Sequence, residues 1–248
     1  MNIKAVKTKL VSLGDLVNDL IAEHIPSVSE RSVIAVASKI VAYEQRQWVK
    51  RDEQDAAQKH RLVAQQADRY LPPQSSKYQL MLAIKNHTLT VNAGIDESNA
   101  AGGYVLWPKD IQLAANTIWR FLLEHYGLKE VGVVITDSKT SPLRWGVTGT
   151  CLAHSGFEAL HSYIGEQDLF GRPIVMEKSN IAEAVAIAAT LVMGEVAESQ
   201  PLAVATEIPH IVFQDRVPTE QELADLQITI EDDVYGPLLT AVEWQKSD

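Results

Sequence analysis

The chain has a single cysteine, Cys151, so it forms no internal disulfide and offers no cysteine-based metal cluster. Its histidines, at positions 24, 60, 87, 125, 154, 161 and 210, never fall at His-x-x-x-His spacing, which leaves a zinc-hydrolase site without support. Basic residues are few: 22 Lys and Arg stand against 32 Asp and Glu, a net charge of −10, with no basic stripe to engage a nucleic-acid backbone. Long apolar runs are missing too. The longest, Ile181 to Met193, contains Glu183 and is too short to span a bilayer. Met1-Asn2-Ile3-Lys4 leads into mixed polar sequence without the apolar segment of a signal peptide, so the expectation is a cytoplasmic protein with no membrane partner. Neither common phosphate-binding glycine pattern occurs, Gly-x-x-x-x-Gly-Lys-Ser/Thr or Gly-x-Gly-x-x-Gly, and there is no Gly-x-Ser-x-Gly nucleophile elbow.

What is present is enough apolar sequence for a substantial core, 46% of 248 residues. Asp15 reads as the N-cap of a helix through Leu16, Val17, Leu20 and Ile21, stopped by Pro26. Ser32 to Ala37 reads as a buried strand and Thr88 to Ala93 as another. Residues from Asp52 to Leu71 have helical spacing up to Pro72-Pro73. Lys109 to Tyr126 is an amphipathic helix with Gly127 as its stop, and Val131 to Thr136 is a strand. Lys139 to Arg172 reads as loop-rich. Ser179 or Asn180 caps an Ala-rich helix to Met193, apolar nearly all round and expected to be buried. Leu202 to Ala205 is a strand, and Thr219 with Glu222 forms a capping-box pattern for a C-terminal helix. Strands and helices without regular alternation indicate α+β.

Acids and hydroxyls recur at the ends of these elements. The strand from Val131 runs into Asp137-Ser138, Asp96 follows Val91-Asn92-Ala93-Gly94-Ile95, and Glu195 follows Met193-Gly194. Carboxylates from distant segments can converge on a hard divalent cation such as Mg²⁺, which takes oxygen ligands and shares its shell with phosphate and water. Singly, each acid reads first as a strand-end turn residue or helix cap. Ser38-Lys39 follows a strand, where an ammonium can meet phosphate oxygens or simply be solvated. Pro142-Leu143-Arg144-Trp145-Gly146 and Asp168-Leu169-Phe170-Gly171-Arg172 each set an arginine in a loop, suited to carboxylate or phosphate or to anchoring the loop itself. His154 and His161 suit substrate contact or an ordinary loop.

Five blocks occur in a fixed order: Ser38-Lys39-Ile40-Val41, Ala93-Gly94-Ile95-Asp96-Glu97-Ser98-Asn99, Val133-Val134-Ile135-Thr136-Asp137-Ser138, Asp168-Leu169-Phe170-Gly171-Arg172 and Leu191-Val192-Met193-Gly194-Glu195. In these the chain resembles the coenzyme F-420:L-glutamate ligase family, over roughly residues 10 to 207. Lys139 to Gly146 looks closer to a paralogous branch described as folate-metabolism γ-glutamate ligases. The resemblance implies an α+β, mixed-sheet, two-lobed fold and an intertwined homodimer. Residues 1–215 would form the catalytic region, and 216–248 a helical extension packed on it.

The resemblance also assigns roles. Asp96 and Asp137 match acids that bind one divalent cation; Ser138 stands where the deazaflavin ligases have threonine, and Glu195 matches the acid at a second cation, Mg²⁺ or Mn²⁺. Ser38, Lys39, Asn99 and Met193-Gly194-Glu195 match positions that hold GTP, with ATP as the other candidate co-substrate. Lys39 would add positive charge during phosphoryl transfer, and Arg144 or Arg172 would hold the carboxylate of L-glutamate or of the acceptor. Two departures touch the substrate. Lys139-Thr140-Ser141 replaces a Phe-Gly-Arg, and Ala42-Tyr43-Glu44-Gln45 replaces a small-or-basic run. The function implied is a nucleotide-dependent γ-glutamyl ligase acting through an acyl phosphate on a folate-like acceptor. The alternatives are a ligase for F-420-0 itself and an inactive nucleotide- or metal-binding regulatory protein.

Overall fold

Apolar residues occupy consecutive positions from Val33 to Ala37, and a strand of that kind is stable only with both faces covered. The structure, a computed structural model that describes residues 1–247, covers both. In chain order its elements are β1 (Asn2–Val6), α1 (Val17–His24), β2 (Ser32–Ala37), α2 (Ser38–Glu44), β3 (Trp48–Lys50), α3 (Gln58–Gln66), β4 (Arg69–Tyr70), β5 (Leu82–Lys85), β6 (Thr88–Val91) and β7 (Gly103–Val105). There follow α4 (Ile111–Tyr126), β8 (Val131–Thr140), β9 (Val147–Ser155), β10 (Leu160–Ser162), β11 (Lys178–Asn180), α5 (Ile181–Met193), β12 (Leu202–Thr206), α6 (Glu220–Ala224), α7 (Gly236–Leu239) and β13 (Gln245–Lys246).

The main sheet runs β1-β12-β2-β8-β9. Only β2 and β8 pair in parallel; the other neighbours are antiparallel, so the sheet is mixed. Ile34 and Val36 pack with Leu20 and Ile21 of α1 and with Trp119 and Leu122 of α4. Val33 and Ala35 pack on the other face with Val185 and Ala189 of α5. A second layer, the sheet β13-β4-β5-β6 with the ribbon β3-β7 and α3, closes over Val63, Met81, Ala83 and Tyr104. The α+β class follows directly. Among the described residues no helix is long and apolar enough to cross a membrane.

Two expected helix ends are found. Asn180 Oδ1 accepts from the Glu183 amide at 2.9 Å, and Gly127 closes α4 at φ 66°, a left-handed position that suits glycine. The Thr219–Glu222 capping box is complete, with Thr219 N to Glu222 Oε2 at 2.7 Å and Glu222 N to Thr219 Oγ1 at 3.2 Å. It caps only the five residues of α6. The chain after it adds the short α7 and then β13, which pairs with β4.

Other expectations are corrected. Asp15 does not cap α1, because its carboxylate turns back to accept from Ser12 N at 2.8 Å, a local bond that competes with capping. The helix expected over 52–71 shrinks to α3: Asp52 and Asp55 form turns, accepting from Gln54 N and Ala57 N, and Arg69–Tyr70 joins a sheet. The loop-rich reading of 139–172 missed nine-residue β9, whose pairing extends β8 to Thr140. Polar, β-branched residues such as Thr140 and Thr148 suit an antiparallel arm that leaves the core. Finally, α5 is not buried all round, since Leu191 is 82% exposed and Ile187 39%.

His154, read from sequence as a loop residue, is buried in β9 with its ring 5.4 Å from that of Phe157. Burial pushes its pKa down to about 4, against a smaller upward pull from Glu222. Between that value and the unfolded value of about 6.5, the unfolded chain binds the extra proton. Stability from this group is therefore present at neutral pH and is lost as pH falls from about 6.5 toward 4, by about 3 kcal/mol. In urea unfolding at pH 7.5 and 4.5, His154→Phe should lose less stability on acidification than the parent protein. The difference between the two isolates His154 from carboxylates titrating in the same range.

Candidate active site

The parallel register ends at the pair Ala37–Thr136, and the residues that follow lie side by side at one edge, β2 turning into α2 while β8 runs on paired with β9 alone. On β2 these are Ser38 and Lys39, the first turn of α2; on β8 they are Asp137 and Ser138. Carboxyl ends of parallel strands are where open sheets form ligand crevices. Here they floor a cleft of about 700 Å³. The turn after β6, the segment 193–201 after α5 and residues 8–11 after β1 make its walls.

Asp96 reaches the cleft on a chain pinned to Val105 by two backbone hydrogen bonds, at 3.0 and 2.8 Å. Its carboxylate accepts from Lys39 Nζ at 2.6 Å, Ser98 N at 2.8 Å and Ser98 Oγ at 2.7 Å. Burial works against its ionisation, but the Lys39 and Ser98 hydrogen bonds outweigh it and hold the carboxyl below the usual range. The loop that follows is fixed by Tyr43 Oη donating to Asn99 O at 3.0 Å and Trp48 Nε1 to Ala100 O at 2.7 Å.

Asp137 is treated in the opposite way. Burial pushes its pKa up to about 6, and the Asp96 charge adds to that; hydrogen bonds from Ser138 N and Trp107 Nε1 and the Lys39 charge pull it only partly back. Next to it, Ser138 Oγ lies 3.0 and 2.9 Å from the two carboxylate oxygens of Glu195. Four lysines (9, 39, 59 and 139) and four acids (96, 137, 195 and 198) line the cleft. Three of the lysines are engaged by outside acids: Lys9 by Glu23, Lys59 by Glu97 and Lys139 by Glu183. Lys39 is left to the site.

These residues suit a hard divalent cation. The donors are all oxygens, and an enclosed carboxylate beside a second one is the arrangement that bound positive charge relieves. Among the described residues no three acidic or imidazole side chains make a metal shell alone. Hydroxyl, water and phosphate oxygens would supply the remainder, as is usual for Mg²⁺.

The cleft therefore gathers Ser38, Lys39, Asp96, Asn99, Asp137, Ser138, Met193, Gly194 and Glu195. Asn99 also spans its mouth, donating from Nδ2 to Val196 O at 2.6 Å. Arg144 and Arg172 are not brought to it. The first lies in the exposed turn between β8 and β9, its guanidinium donating to Leu143 O at 3.5 Å and its backbone N to Ser141 O at 3.3 Å. The second is exposed in a loop closed by its own backbone N on Asp168 Oδ1 at 2.9 Å. His154 and His161 also stand away from the cleft, and the His161 ring lies 4.9 Å from that of His210, tilted by 33°. Sequence reasoning missed Trp107, which follows Val105-Leu106 with no spacing signal, and Glu198, whose carboxylate accepts from Val196 N at 2.9 Å.

The model of one protein family, described as F420-0:Gamma-glutamyl ligase, matches residues 5–207. The chain belongs to this family. A relative named Coenzyme F420:L-glutamate ligase, from Methanosarcina mazei, is 29% identical over 210 residues, 80% of this chain and 82% of the relative. Proteins of the same name from Methanopyrus kandleri and Archaeoglobus fulgidus are 36% and 38% identical over 126 residues each, half of this chain and half of theirs. The chain thus spans about half the length of these two curated relatives.

Asp137 gives a test of the electrostatics. Its pKa is higher folded than unfolded, so its contribution to stability is present below the unfolded value and is lost as pH rises through about 6. Asp137→Asn should stabilise the metal-free protein at pH 7.5, by no more than about 3 kcal/mol, and the gain should vanish near pH 4. Urea unfolding with a chelator present measures both. A variant less stable than the parent at pH 7.5 would contradict the assigned burial cost.

Proposed function

We propose that this chain is a nucleotide-dependent γ-glutamyl ligase. The observation that carries the reading is that Asp96, held by the Lys39 ammonium, Asp137, and the Ser138–Glu195 pair all line one cleft, where β8 runs past the end of β2. Membership of the family and the names of its relatives support the reaction class.

In this reading the acceptor carboxylate attacks the γ-phosphorus of GTP or ATP, the bond to the bridging oxygen breaks, and a nucleoside diphosphate leaves. The amine of L-glutamate then attacks the acyl carbon, the carbon–oxygen bond to phosphate breaks, and the amine loses a proton. Asp96 and Asp137 would hold one Mg²⁺ or Mn²⁺, and Ser138 with Glu195 a second. Bound there, the cations neutralise phosphate charge during phosphoryl transfer. Ser38 stands at the first turn of α2, where backbone amides favour anionic oxygens, and Lys39 is anchored beside it by Ser98 O at 2.8 Å. Asn99 and the 193–195 turn lie where they can border the nucleotide.

For the acceptor, the names of the relatives support F-420-0. A folate-like acceptor is favoured by one feature, the Lys139–Gly146 segment, which looks closer to the folate-metabolism branch and whose Lys139 lines the cleft while paired with Glu183. We also read the main sheet and the smaller β-layer as two lobes flanking the cleft, and the chain as a homodimer. Leu143, Trp145, Leu169 and Phe170 are 98, 94, 99 and 89% exposed, large apolar side chains that a second copy of the chain would cover.

The purified protein, given Mg²⁺ or Mn²⁺, L-glutamate, GTP or ATP and either acceptor, should release phosphate only when acceptor and glutamate are both present. Mass spectrometry of the acceptor identifies the product. Nucleotide binding without turnover on any acceptor would make it a regulatory binding protein instead. In sedimentation velocity the protein should run as a dimer, and Trp145→Asp combined with Phe170→Asp should yield monomers.

A further inference from the structure

Behind Asp137, on the side away from the cleft, lies a side chain that the ligase reading does not use. Trp107 is 5% exposed, does not line the cleft, and donates its indole N–H to Asp137 Oδ2. An indole nitrogen can only donate, so the bond has one polarity whatever the carboxylate's charge. The other oxygen, Oδ1, accepts from Ser138 N at 2.8 Å. One fixed donor on each oxygen sets the plane of the carboxylate and leaves further lone pairs for the cleft.

The indole is itself held. Gly94, at φ +74°, approaches so closely that a Cβ there would lie 2.0 Å from Trp107 Nε1. The turn leading to Asp96 is therefore shaped around this ring. Lys85 Nζ lies 5.9 Å from the ring centroid and is tethered to Gln66 Oε1 at 2.9 Å. One indole thus contacts the turn that delivers Asp96 and the carboxylate of Asp137. Groups that orient ligating carboxylates from behind govern metal affinity nearly as strongly as the ligands do.

We propose that Trp107 is a positioning residue for the divalent-cation site: its N–H fixes the Asp137 carboxylate and its ring keys the Gly94 turn, so that the two acids face one point. This inference rests on the reading of Asp137 as a cation ligand.

The test is Mn²⁺ alone, titrated into the full chain and followed by the electron paramagnetic resonance signal of free Mn²⁺. Trp107→Phe, which keeps an aromatic ring but deletes the donor, should weaken binding by about 10- to 100-fold. Gly94→Ala should produce a loss in the same direction by pushing the donor away. Trp119→Phe removes a different buried indole bond, to Val131 O at 2.9 Å, and should leave Mn²⁺ affinity unchanged. In an Asp137→Asn background, Trp107→Phe should cost little further affinity, because its partner is already altered. Parent-like affinity in Trp107→Phe, or an equal loss in the Asp137→Asn background, would overturn the positioning role alone. A parent protein that binds no Mn²⁺ would overturn the cation site and this inference with it.

Discussion

Parallel neighbours in a sheet run toward the same edge, and among the described residues β2 and β8 are the one parallel pair in the main sheet. Their register, Ser32 with Val131 through Ala37 with Thr136, holds six residue pairs in the most enclosed part of the molecule. It brings the Lys39 region and the Asp137 region together although about 98 residues separate them in the chain. A slip of one residue would turn Ile34 and Val36 away from α1 and α4 and send Val33 and Ala35 in their place. Two differently shaped cores thus specify the register, and the register specifies the site. The remaining residues, 96–99 and 193–198, come on loops that must be tied to this edge by hydrogen bonds. Lys39 to Asp96 and Ser138 to Glu195 are those ties, and Asn99 to Val196 joins the two loops to each other.

The two acids at the centre divide an electrostatic problem. Asp96 is satisfied within the chain, with three hydrogen-bond donors on its carboxylate, and remains ionised easily. Asp137 is enclosed, faces the Asp96 charge, and resists ionisation. Were both fully compensated by the protein, positive charge from outside would gain little by entering; were neither, the empty cleft would be costly to fold. Lys39 tempers both acids without neutralising Asp137. The core has to sustain that imbalance, and the apolar layers on both faces of β2 and β8 are where the stabilisation to do so comes from.

Continuous or periodic burial was legible in the sequence. Val33 to Ala37, Val131 to Thr136, the α4 amphipathic stripe and the Asn180 cap all follow from apolar pattern and local capping, and each is found. The blocks around Asp96, Asp137 and Glu195 were legible by resemblance, and all three reach one cleft. Tertiary pairing was not legible. β9 reads as loop because Gly149, Ser155, His154 and the flanking Gly146 and Gly156 break up its apolar residues, and only the ladder with β8 makes them a strand. Trp107 escaped notice for a similar reason: a tryptophan before Pro108 carries no periodic signal, and its importance lies in a contact thirty residues away. The two arginines were singled out by residue type, which says what a side chain can bind and nothing of where the fold sends it.

That β8 passes through the site, rather than ending at it, changes how adjacent residues can be used. A strand sends successive side chains to opposite faces. Thr136 Oγ1 meets Thr190 Oγ1 of α5 at 2.9 Å, and Ser138 meets Glu195, which follows α5. Asp137, between them, turns the other way, to Trp107 and toward Asp96. Had the chain turned at Thr136, as its apolar run suggested, nothing would force Asp137 and Ser138 apart. Because the ladder with β9 continues to Thr140, the alternation persists through them. The shift in that ladder between Ile135 and Thr136, where Leu152 is the extra residue, lies just ahead of the polar stretch, where a bulge re-aims the side chains that follow. Two neighbouring residues can then serve two separate oxygen clusters, Asp96 with Asp137 on one side and Ser138 with Glu195 on the other. On the two-cation reading, the spacing of the cations would be set by the width of one strand.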